Sequence, residues 1–357
     1  MQTQSKFRLL VVRLGAMGDI LHALPAVTAL RLAHPGWVID WVVEPCWRAL
    51  LAAESMPLQS GRNPAQPLID HLHFAATKNW RKAPFGRQTF REFRALRAAL
   101  RDGEYDAVID LQGAIRSALM ARLAGCGRVI GEAEPRERIA RLLFTERVPT
   151  LGAHVIEQDV ELASAVAGDQ LAPAHPQLPL DTSAEAWADV ILPQSSSSNA
   201  VLLNPGAGWG AKRWPAERYA EVVRVLVGRG LRVLINAGPG EEALADAIVK
   251  GSNGAAIPLT CSVAQLIALT RRIALCIAGD TGPLHLACAL GRPVVGIYGP
   301  TDPSRNGPYG TRFRVLRSPE SRRDHTRRDA PEAGLLTIHP EDVVHAADEL
   351  LVEETCS

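Results

Sequence analysis

The segment Gly279-Asp280-Thr281-Gly282-Pro283-Leu284-His285 places an acid, a hydroxyl and an imidazole among two glycines. It follows an apolar run and precedes a helical pattern opened by Pro283, a residue suited to a first helical turn. Free N–H groups at a helix start attract anions, so Thr281 and the backbone at Gly282 suit phosphate oxygens. Asp280 can accept hydrogen bonds from sugar hydroxyls, and His285 falls one turn into the helix near the same mouth. Helix capping by Asp280 or Thr281 is the simpler use of these residues. Capping leaves unexplained why Asp, Thr and His converge on one strand end.

Three further segments have the same character. Asn204 to Pro215 carries Gly206, Gly208 and Gly210 ahead of Lys212 and Arg213. Exposed N–H groups, a helix start and a lysine make a diphosphate cradle, whereas a solvated loop with a basic tip is the plainer alternative. In Ala237-Gly238-Pro239-Gly240-Glu241-Glu242 the acids can accept ribose hydroxyls; alone, they read more simply as first-turn acids complementing a helix dipole. Gly15-Ala16-Met17-Gly18-Asp19-Ile20-Leu21-His22 is neither a dinucleotide fingerprint nor a P-loop. Gly15 and Gly18 permit close backbone approach. Asp19 serves there as an N-cap or as a general base facing an interdomain cleft, and spacing leaves both open. His22 reads as packing.

A basic patch completes the set. Lys78, Arg81, Lys82, Arg87, Arg91, Arg94, Arg97 and Arg101 are accompanied between positions 78 and 101 by one acid, Glu92. From Arg87 the pattern is an amphipathic helix with Phe90, Phe93, Leu96 and Leu100 as its apolar stripe. A solvated face is the default. Docking of a phosphorylated, membrane-surface acceptor is the sharper reading, with Arg116 and Arg136 joining it.

The elements that must position these residues alternate. Strands are expected at 9–12, 38–43, 105–111, 200–204, 232–237, 273–278 and 293–298. Helices are expected at 20–32, 116–123, 215–228, 241–250, 263–270 and 283–290. Strand–turn–helix alternation argues for parallel sheets covered by helices. The run Gln194-Ser195-Ser196-Ser197-Ser198-Asn199 after Pro193 reads as a linker. The expected fold is α/β: two doubly wound, Rossmann-like domains, 1–180 and 200–357, joined by a linker at 181–199 and facing a cleft. The last helix is left free to pack back on the first domain. Ligands in such sheets sit beyond the carboxyl ends of the strands, where all four glycine-containing motifs fall.

Bulk composition narrows the classes. The 357 residues are 47% hydrophobic and 22% charged with a net charge of +1, as for an ordinary globular protein. Near-neutrality and a lack of interleaved aromatics weaken a nucleic-acid reading. Cysteines 46, 126, 261, 276, 288 and 356 form no Cys-x-x-Cys pair, so neither a disulfide framework nor a zinc site is expected. No apolar run reaches the roughly 20 residues of a membrane span, and Arg8 and Arg13 interrupt the N-terminal apolar stretch, which excludes a signal-peptide core. A cytoplasmic protein meeting any membrane-borne substrate at the surface is expected.

Gly15 to Asp19, Gly210-Ala211-Lys212-Arg213-Trp214-Pro215, and Gly279 to His285 followed by Tyr298-Gly299-Pro300-Thr301-Asp302-Pro303 together resemble the ADP-heptose:lipopolysaccharide heptosyltransferases of glycosyltransferase family 9. Order and spacing match over roughly residues 7–350. Trp41 to Glu44, Asn79 to Ala83, Tyr105 to Gly113 and the block Arg136 to Phe144 are similar to the type I branch. Asn236 to Gly240 and the basic stretch 317–334 depart from that pattern. The resemblance implies a GT-B type enzyme that transfers heptose with inversion from ADP-heptose, a co-substrate, needing no cofactor and no metal. The implied acceptor is a Kdo of the lipid A inner core, at the cytoplasmic face of the inner membrane. Carried over by motif, Asp19 is the base. Lys212, Gly208, Thr281 and Gly282 meet the donor diphosphate, and Asp280 and His285 lie at the heptose. Glu242, then Glu241, meets the ribose. Gly18, Lys78, Arg81, Lys82, Arg116 and Arg136 face the acceptor. A type II or other family acceptor is the nearest alternative, followed by a nucleotide-sugar epimerase of the same fold and a non-catalytic binding module.

Overall fold

The computed structural model describes every residue except 1–5, 55–56, 58–60, 194–198, 323–329 and 356–357. The serine run, the middle of the basic stretch and Cys356 thus lie outside the described residues. The chain forms two compact units, 1–180 and 181–357.

The first unit runs β1 (Arg8–Val12), α1 (Met17–Ala33), β2 (Val38–Val43), β3 (His71–Phe74), α2 (Thr77–Lys82), α3 (Arg87–Asp102), β4 (Ala107–Asp110), α4 (Ile115–Leu123), β5 (Val129–Glu132), β6 (Glu146–Val148) and α5 (Val155–Ala167). Its strands pair in parallel in the order β3-β2-β1-β4-β5-β6. Central β1 places Val11 between Trp41 and Ile109. Leu9, Leu10, Val11 and Val12 are fully buried. An unbroken apolar run suits a strand covered on both faces. Gly131 on β5 packs under the ring of Phe144, so closely that a β-carbon would overlap the ring.

The second unit repeats this topology. It runs α6 (Thr182–Ile191), β7 (Ala200–Asn204), α7 (Ala216–Gly228), β8 (Arg232–Asn236), α8 (Glu242–Gly251), β9 (Ile257–Leu259), α9 (Val263–Thr270), β10 (Leu275–Gly279), α10 (Gly282–Ala289), β11 (Val294–Tyr298), α11 (Pro303–Asn306), β12 (Phe313–Arg317) and α12 (Pro340–Thr355). The parallel order is β12-β11-β10-β7-β8-β9. In each sheet the first and fourth strands of the unit are neighbours, β1 with β4 and β7 with β10. The winding direction reverses there, and this switch point is where doubly wound sheets open a crevice for ligands.

Three details differ from the sequence reading. The expected linker carries α6, whose N-cap Asp181 accepts the N–H groups of Ser183 and Ala184 at 3.1 Å. Arg272 at the end of α9 pairs with Glu185 at 2.6 Å and Asp189 at 2.9 Å, fastening α6 to the second unit. The linker reading came from Pro193 and the serine run after it and was extended back over this stretch, while ion pairs distant in sequence hold the stretch as helix. The last helix contributes Val343, Ala347 and Leu350 to the second unit's own core. On α3, Leu96 and Leu100 are buried, but Phe90 is 64% exposed beside Arg94. The apolar stripe is therefore narrower than the spacing suggested.

Replacing Gly131 with alanine should destabilise the protein by about 1–3 kcal/mol through the clash with Phe144, read as a lowered midpoint in chemical denaturation.

Candidate functional site

In the first unit, residues 13–16 turn across the carboxyl end of the sheet beside the β1/β4 switch. Two long-range bonds pin the turn. The Leu14 N–H donates to Gln112 Oε1 at 2.8 Å, and the Leu14 carbonyl accepts the Glu44 N–H at 3.0 Å. Gly15, at φ +148°, lies against Trp47, where a β-carbon would come within 2.6 Å of Nε1. No side chain fits that position. The turn delivers Asp19 to the first turn of α1. Its Oδ2 accepts the Ala16 N–H at 2.8 Å. Asp19 is therefore not the N-cap itself but an N3 acid bonding back to the N-cap backbone. The capping role does not consume it: the carboxylate stays 39% exposed, with Oδ1 3.6 Å from Arg13 Nη2.

Beneath this carboxylate lies a buried charged group. Arg13 is 5% exposed, and its Nε donates to the Asp19 carbonyl at 3.0 Å. Asp110, at the end of β4, accepts the N–H groups of Gln112 and Gly113 and the Ser117 hydroxyl. Burial nonetheless pushes its carboxyl up to about 6. Asp159 on α5 is pushed up to about 7, by burial first and then by the negative charges of Asp19, Glu132 and Asp110, against the pull of Arg13. Sequence reading missed Arg13, Gln112, Asp110 and Asp159. Arg13 and Gln112 lie in the loops just past β1 and β4, Asp110 ends β4 and Asp159 lies on α5, and local spacing does not announce partners that far apart in the chain.

The basic residues divide. Lys78 donates its N–H to Glu44 Oε1 at 3.1 Å, and its ammonium lies 5.8 Å over the Trp47 ring, in the group around Gly15. Arg116 and Arg136 belong to one strand end: Gly113 packs on the backbone of Pro135 and Arg136, and Glu137 accepts the Ile115 N–H at 2.8 Å. Both arginines are exposed, as are Arg81 and Lys82 at the end of α2, while Gly18 is half-buried in α1.

In the second unit, the β7/β10 switch gathers the remaining residues. A short turn over Gly210–Lys212 sends the Lys212 ammonium to Asp280 Oδ2 at 2.5 Å and over the Trp209 ring at 4.8 Å. The His285 ring meets the other carboxylate oxygen at 3.3 Å. Burial alone would raise the Asp280 carboxyl. The His285 hydrogen bond and the Lys212 charge outweigh it, leaving the group well below the usual carboxylate range. Thr281 is the N-cap of α10, and its hydroxyl turns to the Gly279 carbonyl at 3.3 Å, not to the helix. The leading N–H groups of α10 lack intrahelical acceptors, as at any helix start.

The two acids after β8 separate. The Glu241 carboxylate packs directly on Gly206, where any β-carbon would overlap it, and accepts the Gly238 N–H at 2.9 Å. Glu242 is exposed and accepts the Gly240 N–H at 3.1 Å. Spacing favoured Glu242; the fold brings Glu241 to the glycine loop of β7. Gly208 has open space where a side chain would stand. Among the described residues, no group of three or more His, Cys, Asp or Glu comes together as a metal site.

Two parallel six-stranded sheets, each with charged groups at its switch point, define a GT-B-like architecture. The Escherichia coli heptosyltransferase WaaC, solved with ADP-2-deoxy-2-fluoro heptose, superposes with a TM-score of 0.75 at 29% identity, covering 96% of this chain and 99% of that one. The model of glycosyltransferase family 9 (heptosyltransferase) matches residues 93–335. Lipopolysaccharide heptosyltransferase 1 of E. coli K12 is 32% identical over 87% of this chain and 94% of its own length. Lipopolysaccharide heptosyltransferase 2 of the same strain is 26% identical over 97% and 99%. The chain belongs to glycosyltransferase family 9, the heptosyltransferases, and is a glycosyltransferase.

The raised carboxyl of Asp159 makes a stability prediction. A buried acid whose folded value lies above its unfolded one contributes stability below about pH 4 that is lost as pH rises through about 7. Asp159→Asn removes this loss. Its unfolding free energy relative to the parent, from denaturation at each pH, should climb between pH 4.5 and pH 8 by an amount on the order of 2 kcal/mol. A difference that is flat across this range contradicts the assignment.

Proposed function

We propose that this enzyme transfers L-glycero-D-manno-heptose from ADP-heptose to a Kdo of the lipopolysaccharide inner core, inverting the anomeric centre without a metal ion. The observation that carries this reading is the 32% identity to heptosyltransferase 1 over nearly the whole chain. The higher figure for that relative than for heptosyltransferase 2 favours an acceptor that carries no heptose.

Inversion requires attack opposite the leaving ADP. Asp19 removes the proton of the acceptor hydroxyl. The oxygen bonds to the anomeric carbon as the bond to the diphosphate breaks, and the departing electron pair goes to ADP. Asp19 is 39% exposed and returns its proton to water. Lys212, Thr281 and the Gly282 N–H at the start of α10 take up the charge that develops on the diphosphate, so a divalent cation has no remaining task. Asp280 and His285 hold the heptose, Glu241 the ribose, with Glu242 the outer acid, and Gly208 lets the loop close on the phosphates. Gly18, Lys78, Arg81, Lys82, Arg116 and Arg136 receive the acidic acceptor.

The acceptor is a lipid, and no helix among the described residues is long and apolar enough to cross a membrane. We place the enzyme in the cytoplasm, bound to the inner face of the inner membrane through α3. Phe85 and Phe90 are 100% and 64% exposed. Arg94 lies 5.6 Å over the Phe90 ring, and Arg87, Arg91, Arg97 and Arg101 are exposed along the same helix. Exposed aromatic rings within a cationic face suit an anionic lipid surface.

Two sets of measurements test the proposal. Purified enzyme given ADP-heptose should glycosylate Kdo-lipid A and not the same acceptor already bearing one heptose; the reverse preference identifies the type II activity. Turnover should survive EDTA. Asp19→Ala should lose about 10²–10⁴-fold in kcat while keeping ADP affinity, and Lys212→Ala should weaken ADP binding in calorimetry. Separately, the protein should sediment with anionic but not zwitterionic vesicles, less so at high salt. The Phe85→Ser, Phe90→Ser, Arg94→Glu triple variant should stay in the supernatant; unchanged sedimentation of that variant removes α3 as the docking face.

A further inference from the structure

We infer that Arg13 is a positioning residue for the acceptor-side base, holding the Asp19 carboxylate in one orientation from below. The inference rests on Asp19 being that base. Three observations carry it.

The first is the two-point grip. Arg13 Nε donates to the Asp19 carbonyl at 3.0 Å, and Nη2 lies 3.6 Å from Oδ1 of the same residue. The guanidinium fork thus touches both the main chain and the side chain of Asp19. With the Ala16 N–H on Oδ2 at 2.8 Å, both carboxylate oxygens are engaged on the protein side. The remaining lone pairs point out through the exposed part of the group. A carboxylate held by one N–H alone can rotate about its Cα–Cβ and Cβ–Cγ bonds, and a general base displaced by about 1 Å can lose about 100-fold in rate.

The second is burial. Arg13 is 5% exposed, and its own carbonyl accepts the Trp41 Nε1–H at 3.0 Å, which locks the backbone it hangs from. A buried guanidinium is costly unless anions surround it. Here they do: Asp110 from β4 and Asp159 from α5 both feel its charge. Glu132 of β5 adds a further negative charge to this group, and the rings of His22 on α1 and His154 ahead of α5 meet edge to face at the same helix pair.

The third is the choice of residue. An apolar strand end would hold an aliphatic residue at less cost. A lysine would bring the charge but not the fork that reaches two acceptors with fixed geometry. The arginine and the buried acids make sense together as a mount for a carboxylate that must stay both exposed and still.

Arg13→Met and Arg13→Lys test this. In Arg13→Met, kcat should fall about 100-fold with KM for ADP-heptose within about two-fold of the parent. The Asp19 side chain, followed by NMR relaxation, should become more mobile. Arg13→Lys should restore only part of kcat and part of that order. Circular dichroism and ADP calorimetry report folding of each variant. A folded Arg13→Met with parental kcat and an Asp19 side chain as ordered as the parent's overturns the inference; so does parental kcat in Arg13→Lys, the arm that remains if the methionine variant does not fold. Full turnover in Asp19→Ala defeats the base assignment alone, because the side-chain relaxation still measures the hold of Arg13 on Asp19.

Discussion

Parallel pairing constrains everything else in this molecule. All twelve described strands of the two sheets run parallel to their neighbours. A parallel neighbour cannot be reached by a tight turn, so the chain must cross back before it pairs again. Every loop leaving a strand's carboxyl end therefore emerges on one edge of its sheet. The reversal of winding at β1/β4 and β7/β10 leaves those loops without a covering crossover. The residues with chemical potential occupy that edge in both units because the topology leaves it open.

An open edge alone would give mobile loops. Buried polar side chains prevent this here. Gln112 holds the β1–α1 turn through its side chain and Glu44 through its backbone N–H, while the buried Glu44 carboxylate anchors the Lys78 N–H. In the second unit, Glu241 packs on Gly206 and binds Gly238, tying the β7 and β8 loops together. In both units a carboxylate inside the fold organises backbone N–H groups, and the exposed chemistry is built on top of it.

Much of this was legible in the sequence, for identifiable reasons. The central strands were visible because burial on both faces demands continuous apolar runs, as in Leu9 to Val12. Strands β3, β6 and β12 were not, because polar members such as His71, His73, Glu146 and Arg314 interrupt them, nor were β5 and β9, which offer only two or three apolar residues each. Helix α6 was hidden because its stability comes from Arg271 and Arg272, more than 80 positions along the chain. Glycine-flanked Asp19, Lys212 and Asp280 stood out because glycine before a helix is a local signal. The partners Arg13, Asp110 and Asp159 are tertiary, and no spacing rule reaches from β1 to α5. The order of Glu241 and Glu242 turned on which side chain faces Gly206, a matter of three dimensions.

The Lys212–Asp280 pair has a consequence for turnover. This lysine is already neutralised by an internal anion 2.5 Å away. In the proposed reaction a diphosphate arriving at Lys212 therefore gains only the difference between two ionic partners, not the full attraction of a bare cation. The same exchange would run backwards after transfer: the aspartate would recapture the ammonium as the proposed product leaves, so that no uncompensated charge stays behind in a site only 12–15% exposed. On that reading the internal anion is a stand-in that trades tightness of binding for ease of release.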